Sequence, residues 1–478
     1  MTALAAPQLP RPKLRRIRPV LVVGAAIAIV AGTYVQAAIR PTPVSQPAAP
    51  VAPVAAQAQP ALLPPGEAPT ADRDGLGAID HAIKQWTTNL SRNSKDFLSA
   101  TYLSSLYEAR GRLTGDIGDY SRAEQAAAQA LVAYPDYATA QILQARLRQT
   151  LHDFPGALAE AQAILKADPT IMQALATEGD AHLELGNVSD AAMAFASLEK
   201  QAPGPAVTAR LSRLAFIRGD VAIATALATR AWNEATTSGE TGASLGWYAY
   251  LAGMTAMTTG HPDAAATWFD KAIAVWPDSF LALAGKARAQ AALGNTDAAI
   301  ASFQQAIAIA PQPDALTALG DLYALRGETK LANQQYATVE AIAHLAAINQ
   351  QVYNRQLVLF DVNHNRDLAT ALTLAQQELA VRKDVYGYDA DAWALLANGR
   401  AAEADAAMRV ALGFGTHDAL LLYHEGEIDL ALGQTTQARE HLSQALAING
   451  GLDPLATSKA TASLATLGGP MSTAGAGQ

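Results

Sequence analysis

FLALAGKARAQAALGNTDAAIASFQQAIAIAP, residues 280–311, reads as one helix, a glycine turn and a second helix closed by proline. Its Pro311 stands 34 residues after Pro277, and Pro135, Pro169 and Pro203 keep the same 34-residue interval earlier in the chain. A period of that length marks stacked helix-turn-helix units, none of which can bury its apolar face alone. Alanine dominates the segment, and alanine both favours helix and lets helices approach closely. The expectation is an all-α solenoid with thin, tightly packed layers.

Alignment on the prolines brings other positions into register. The unit ending at Pro311 has Gly294 in its turn, then Ala299, Phe303 and Ala306. The unit ending at Pro277 has Gly253, Gly260, Ala265, Phe269 and Ala272 at the matching places. The unit ending at Pro203 supplies Gly179, Gly186, Ala191 and Phe195, and the unit from Pro313 supplies Gly320, Tyr323, Gly327, Ala332 and Tyr336. A late unit gives Gly426, Gly433, Ala438, Leu442 and Ala445. This pattern resembles the tetratricopeptide repeat: small at the eighth place, glycine in the turn, alanine at the twentieth, a large ring at the twenty-fourth and proline at the end. The small residues let paired helices touch, the large one fills the gap between layers, and proline stops the second helix.

The resemblance implies a right-handed α-solenoid over 104–452, of about ten units. Eight clear units begin near residues 104, 138, 172, 205, 246, 280, 313 and 419, and two degenerate ones fill 347–418. In those two, Asp361–Arg366 and Asn398-Gly399 supply the turns. The unit containing His152 lacks a turn glycine, and residues 236–240 insert after the 205 unit, predicting a loop or bend in the stack. Residues 393–404 and 415–428 look like the last repeats of exported bacterial members of the family. Capping helices are expected at 71–103, with Ile79, Ile83, Trp86 and Leu90 on one stripe, and at 453–467. Residues 468–478 should form a disordered tail.

The N-terminus sets an address. Residues 1–18 hold a basic run, and 19–39 carry no charge. Twenty-one such residues can cross a bilayer, and the basic flank then stays in the cytoplasm. The same stretch fits a signal peptide cleaved after Val35-Gln36-Ala37. Both readings place the body outside the cytoplasm: a single-pass membrane protein if uncleaved, a secreted or periplasmic one if cleaved. Residues 41–70 contain nine prolines and one charge, Glu67, and read as an extended disordered Pro/Ala-rich linker.

Charge and composition narrow the partners. The chain has 478 residues and net charge −9; from residue 41 onward 28 bases face 43 acids. An acidic body argues against nucleic acid, which needs a basic footprint. The absence of cysteine removes disulfides, thiolate metal sites and cysteine nucleophiles together.

The family resemblance implies a concave groove lined by the first helix of each unit, whose second, fifth, ninth, twelfth and thirteenth places point inward. The ninth place holds Arg112, Arg146, Asp180, Arg213, Met254, Arg288, Asp321 and Glu427. The unit at 246 adds Trp247, Tyr250 and Met257, and aromatics and methionines anchor partners. Arg112, Arg146, Arg213, Arg288, Trp247, Tyr250, Met254 and Met257 are therefore the candidate partner-binding residues, for a protein or peptide segment. Against this stands the simpler expectation that the arginines pair with neighbouring acids and the rings pack between layers. The asparagines by which some family members hold chaperone tails are missing.

Catalysis, cofactor and metal binding have no support in the motifs. His417, His424 and His441 lie near Asp418, Glu425 and Glu427, but no H-E-x-x-H pattern exists. Asp418 reads as a helix cap, and Asp389 and Asp391 as solvated acids at a helix start. Gly413-Phe414-Gly415 reads as a turn between helices, since no P-loop lysine follows it. No enzyme, no cofactor, no metal and no small-molecule substrate is expected. The function that follows is a membrane-tethered scaffold organising an envelope complex; a glycan-associated solenoid aiding polysaccharide synthesis or export is the alternative.

Overall fold

The computed structural model describes residues 73–348, 355–448 and 453–469. The expected basic tail, membrane segment and linker at 1–70 lie outside them. The described residues form twenty-two helices and no strand. None of these helices is long and apolar enough to cross a membrane.

An opening helix, α1 (Arg73–Arg92), is followed by ten helical hairpins. They pair α2 (Phe97–Thr114) with α3 (Ile117–Ala133), α4 (Ala138–Thr150) with α5 (Phe154–Ala167), and α6 (Met172–Glu184) with α7 (Val188–Gln201). Next come α8 (Pro205–Ile217) with α9 (Val221–Thr237), α10 (Gly242–Thr258) with α11 (Pro262–Val275), and α12 (Phe280–Ala292) with α13 (Thr296–Ile309). The last four pair α14 (Pro313–Leu325) with α15 (Thr329–Ile348), α16 (Arg355–Asn363) with α17 (Leu368–Val381), α18 (Val385–Ala397) with α19 (Ala401–Leu412), and α20 (Ala419–Ala431) with α21 (Thr435–Ile448). A final helix, α22 (Pro454–Thr466), packs on α20 and α21 and reaches across to α14.

The hairpins share two local devices. Each turn contains one residue with left-handed backbone, which is glycine at eight of the ten turns. His152 (φ 66°) and Asn365 (φ 52°) hold the other two. Asparagine visits this region readily, histidine less so. The missing turn glycine is therefore replaced in conformation by His152 itself.

The second device is a ring against a bare backbone. Phe269 is fully buried, and a Cβ added to Gly253 or Gly285 would lie 2.6 Å or 2.5 Å from its Cε1. Gly253 belongs to the same hairpin and Gly285 to the next, so one ring fixes the spacing both within and between units. Phe195 faces Gly179, and Tyr336 faces Gly320, in the same way.

Two sequence expectations need correction. The insertion at 236–240 makes no long loop: it lengthens α9 to 17 residues against the 14 of α7, and α10 to 17 against the 13 of α8. Thr236 and Thr237 extend α9 and, after them, Ser238 and Gly239 turn the chain toward α10. The first unit also begins earlier than residue 104, because Asp96 accepts the backbone N–H of Ser99 and starts α2 at Phe97.

The stack winds until its turns touch. Leu183, Phe195, Leu214 and Ile217 share one apolar core with Val385, Leu395, Met408, Leu421 and Ile428. The third and fourth hairpins thus bury against the ninth and tenth. Thr416 donates its hydroxyl to the Ile217 carbonyl at 2.7 Å, and a Cβ on Gly186 would meet the Lys383 carbonyl oxygen at 2.5 Å. Ile117 likewise joins the core of α12 to α16.

Gly285→Ala should destabilise by about 1–3 kcal/mol through crowding of Phe269, and Phe269→Leu should recover part of that loss. Gly294→Ala has open space around its Cβ, so it should cost only the left-handed backbone, roughly 1–2 kcal/mol, whatever stands at 269. Urea denaturation of the two single and two double variants checks both.

Candidate functional site

The concave interior has two parts, a buried charge layer and an apolar cavity. Arg112 and Arg146 converge on Glu108, the former at 3.4 Å. Burial alone would push Glu108 up, but Arg146 and then Arg112 hold its carboxyl below the usual range. Arg210 is buried and grips Asp180 at 2.8–3.0 Å. Arg213 pairs with Glu184, whose other oxygen takes Arg382 Nε at 2.6 Å. Arg382 also lies 3.3 Å from Asp384, while Arg355 pairs with Glu378 and Asp384 at 2.8 Å each. The chain Arg213–Glu184–Arg382–Asp384–Arg355 crosses between two turns of the spiral.

His152 lies beside this network. Its ring stacks on Phe154 at 5.3 Å, and Nε2 is buried without a hydrogen-bond partner. Burial, then the Arg382 and Arg355 cations, press its imidazole down to about 3, with Asp384 opposing them.

The cavity is half open and holds about 280 Å3. Met254 and Met257 of α10, Leu359 and Phe360 of α16, Leu420 and Tyr423 of α20, and Leu455 of α22 give it apolar walls. Arg288, Asp314, Asp453 and Lys459 supply charge at its margin. Arg288 pairs with Asp314, and Lys459 Nζ donates to the Asn363 carbonyl at 3.2 Å. His424 also lines it; its Nδ1 lies 2.7 Å from Asp389 Oδ1 and Trp393 stacks on the ring at 4.0 Å.

The eight candidate residues separate. Met254, Met257 and Arg288 meet at the cavity. Arg112, Arg146 and Arg213 belong to the charge layer. Trp247 and Tyr250 are buried in the layer around Phe269, their rings 5.2 Å apart. Every charged ninth-place residue has a partner: Asp321 accepts the Tyr336 hydroxyl at 2.7 Å, and Glu427 that of Ser463 at 2.7 Å.

Asp389 and Asp391 are not solvated helix starts. Both are buried midway along α18. Asp418 does cap α20, accepting from Leu420 N at 2.8 Å, and also accepts the Tyr386 hydroxyl at 2.8 Å. The cavity walls from α16 and α22 escaped sequence reading, since the loose hairpins give no register from which to number inward positions.

The tetratricopeptide repeat family model matches residues 108–170, 142–206 and 250–314. No curated protein matches the chain. Solved structures similar to it include a tetratricopeptide repeat protein from Parabacteroides merdae, with 16% identity over 49% of this chain and 87% of that one, at a TM-score of 0.38. MamA shows 22% identity over 34% of this chain and 93% of that one, at 0.28. A chain of the APC/C hetero-tetramer Cut9-Hcn1 shows 15% identity over 82% of this chain and 95% of that one, at 0.30. The described residues form an all-helical repeat protein, and the hairpins within 108–206 and 250–314 match the tetratricopeptide repeat.

Arg382→Met should cost about 3–5 kcal/mol, because it leaves Glu184 and Asp384 buried with one cation fewer. The double variant Arg382→Met, Glu184→Leu should recover part of it in chemical denaturation. A depressed histidine binds fewer protons folded than unfolded. Stability should therefore fall as pH drops from about 6.5 toward about 3, at about 1.4 kcal/mol per pH unit from this group. His152→Gly, which suits the left-handed turn, should flatten that part of the melting-temperature profile.

Proposed function

We propose that this chain is a non-enzymatic scaffold, tethered through residues 19–39 with its solenoid outside the cytoplasm, whose interior cavity takes a short apolar segment of a protein partner. The observation that carries the reading is the methionine-rich apolar wall inside the concave face. Methionine adapts to irregular partners, and concave pockets with apolar walls and convergent polar groups favour binding. The ninth-place arginines support a different role from the one their positions imply. Arg112, Arg146 and Arg213 neutralise buried acids, so recognition falls to Met254, Met257, Leu420 and Tyr423.

Tethering rests on the uncharged 19–39 stretch behind its basic flank. A sugar chain is the rival ligand, since the aromatic residues Phe360 and Tyr423 line the cavity. One experiment addresses ligand and topology together. A photoreactive amino acid replaces Met254 in the full chain, and intact cells are treated with a reagent that cannot cross the inner membrane. The expected result is a defined protein adduct at 254 in the membrane fraction, lost with Leu420→Arg, and a solenoid open to the reagent. Position 193, where Met193 is exposed on α7, should give no such adduct. A glycan adduct supports the rival ligand. Equal adducts at both positions, or a solenoid shielded from the reagent, contradict the proposal.

A further inference from the structure

We propose that Glu425, Asp429 and His441 bind one divalent transition-metal ion of the zinc type. Glu425 and Asp429 lie four residues apart on α20 and so share a helix face. His441 reaches them from α21, its Nδ1 2.7 Å from Asp429 Oδ2. One donor atom from each of the three lies within 4.8 Å of the others.

A second observation points to a ligand. Glu425 is 6% exposed, and its Oε2 is buried with no hydrogen-bond partner. Asp429 beside it is buried as well. Two adjacent buried carboxylates, one with an unanswered oxygen, are costly without a cation. Arg409 of α19, whose charge reaches Glu425, already pairs with Asp405. A metal ion would satisfy the free oxygen and offset the repulsion at one point.

The repeat itself does not demand these residues. In the α12–α13 hairpin the places of Asp429 and His441 hold Gln290 and Ser302, joined by an uncharged hydrogen bond of 2.8 Å. The place of Glu425 holds Lys286, paired with Asp270 at 2.6 Å. The same framework thus closes without an acid cluster. Two carboxylates and an imidazole suit zinc and its neighbours better than calcium or a thiolate-seeking ion. Three protein donors leave the remaining coordination to water. None of the three residues lines the cavity, so the site is independent of the partner-binding proposal.

Detergent-solubilised full-length protein, stripped with chelator, would be titrated with zinc(II) and cobalt(II). One equivalent of tight binding, visible cobalt bands and a raised melting temperature are expected. Glu425→Gln and His441→Gln should each weaken affinity by roughly tenfold or more, while His261→Gln, exposed at a turn, should leave it unchanged. Glu425→Gln should melt no lower than the metal-free parent, which separates loss of the site from loss of the fold. Absence of a stoichiometric site in the parent, or affinity unchanged in both site variants, would overturn the assignment. Should the variants fold poorly, a parent lacking the cobalt bands overturns it equally.

Discussion

A large ring pressed on a bare backbone sets the geometry of the whole molecule. Phe269 touches Gly253 of its own hairpin and Gly285 of the next. The contact fixes how closely two helices of a unit pair and how closely units stack. Small residues admit the ring, and the ring excludes voids that a thin alanine-rich layer cannot fill. Repeated along the chain, a small rotation per hairpin accumulates into a spiral.

Winding has a consequence that a single repeat does not contain. Once the third hairpin meets the ninth, inward-pointing side chains face one another across the interior. Charges brought together there must pair or leave water unpaired, and they pair: Glu184 takes Arg213 from its neighbour and Arg382 from the next turn. The Glu184–Arg382 pair joins the two turns, and a shifted register would break it. His152 occupies the same junction, where burial first, and then the Arg382 and Arg355 cations, disfavour its charged form. The apolar remainder of the interior becomes the cavity.

Fold class was legible because it is written many times. Proline spacing, turn glycines and the ring at the twenty-fourth place each recur, so one degenerate copy does no harm. Left-handed His152 shows the limit of that legibility: the turn conformation persists where its usual residue does not. The interior was less legible. Inward-position numbering brought Met254, Met257 and Arg288 to the cavity, yet it could not tell them from Arg146 and Arg213, which face acids 38 and 29 residues away. Leu420, Tyr423 and Leu455 close the cavity from the opposite turn, and that proximity comes from the pitch of the spiral, which no local pattern encodes. Asp389 misled for the same reason: its partner, His424, lies 35 residues on.

Contact between turns is the claim on which the charge layer and the cavity both rest. Because the chain has no cysteine, spin labels attached at Asn187→Cys and Lys383→Cys report the separation of the third and ninth hairpins without background. The account predicts a single short distance that lengthens and broadens when Arg382 is replaced by methionine. A long, broad distribution in the parent protein would mean an open spiral and would contradict it.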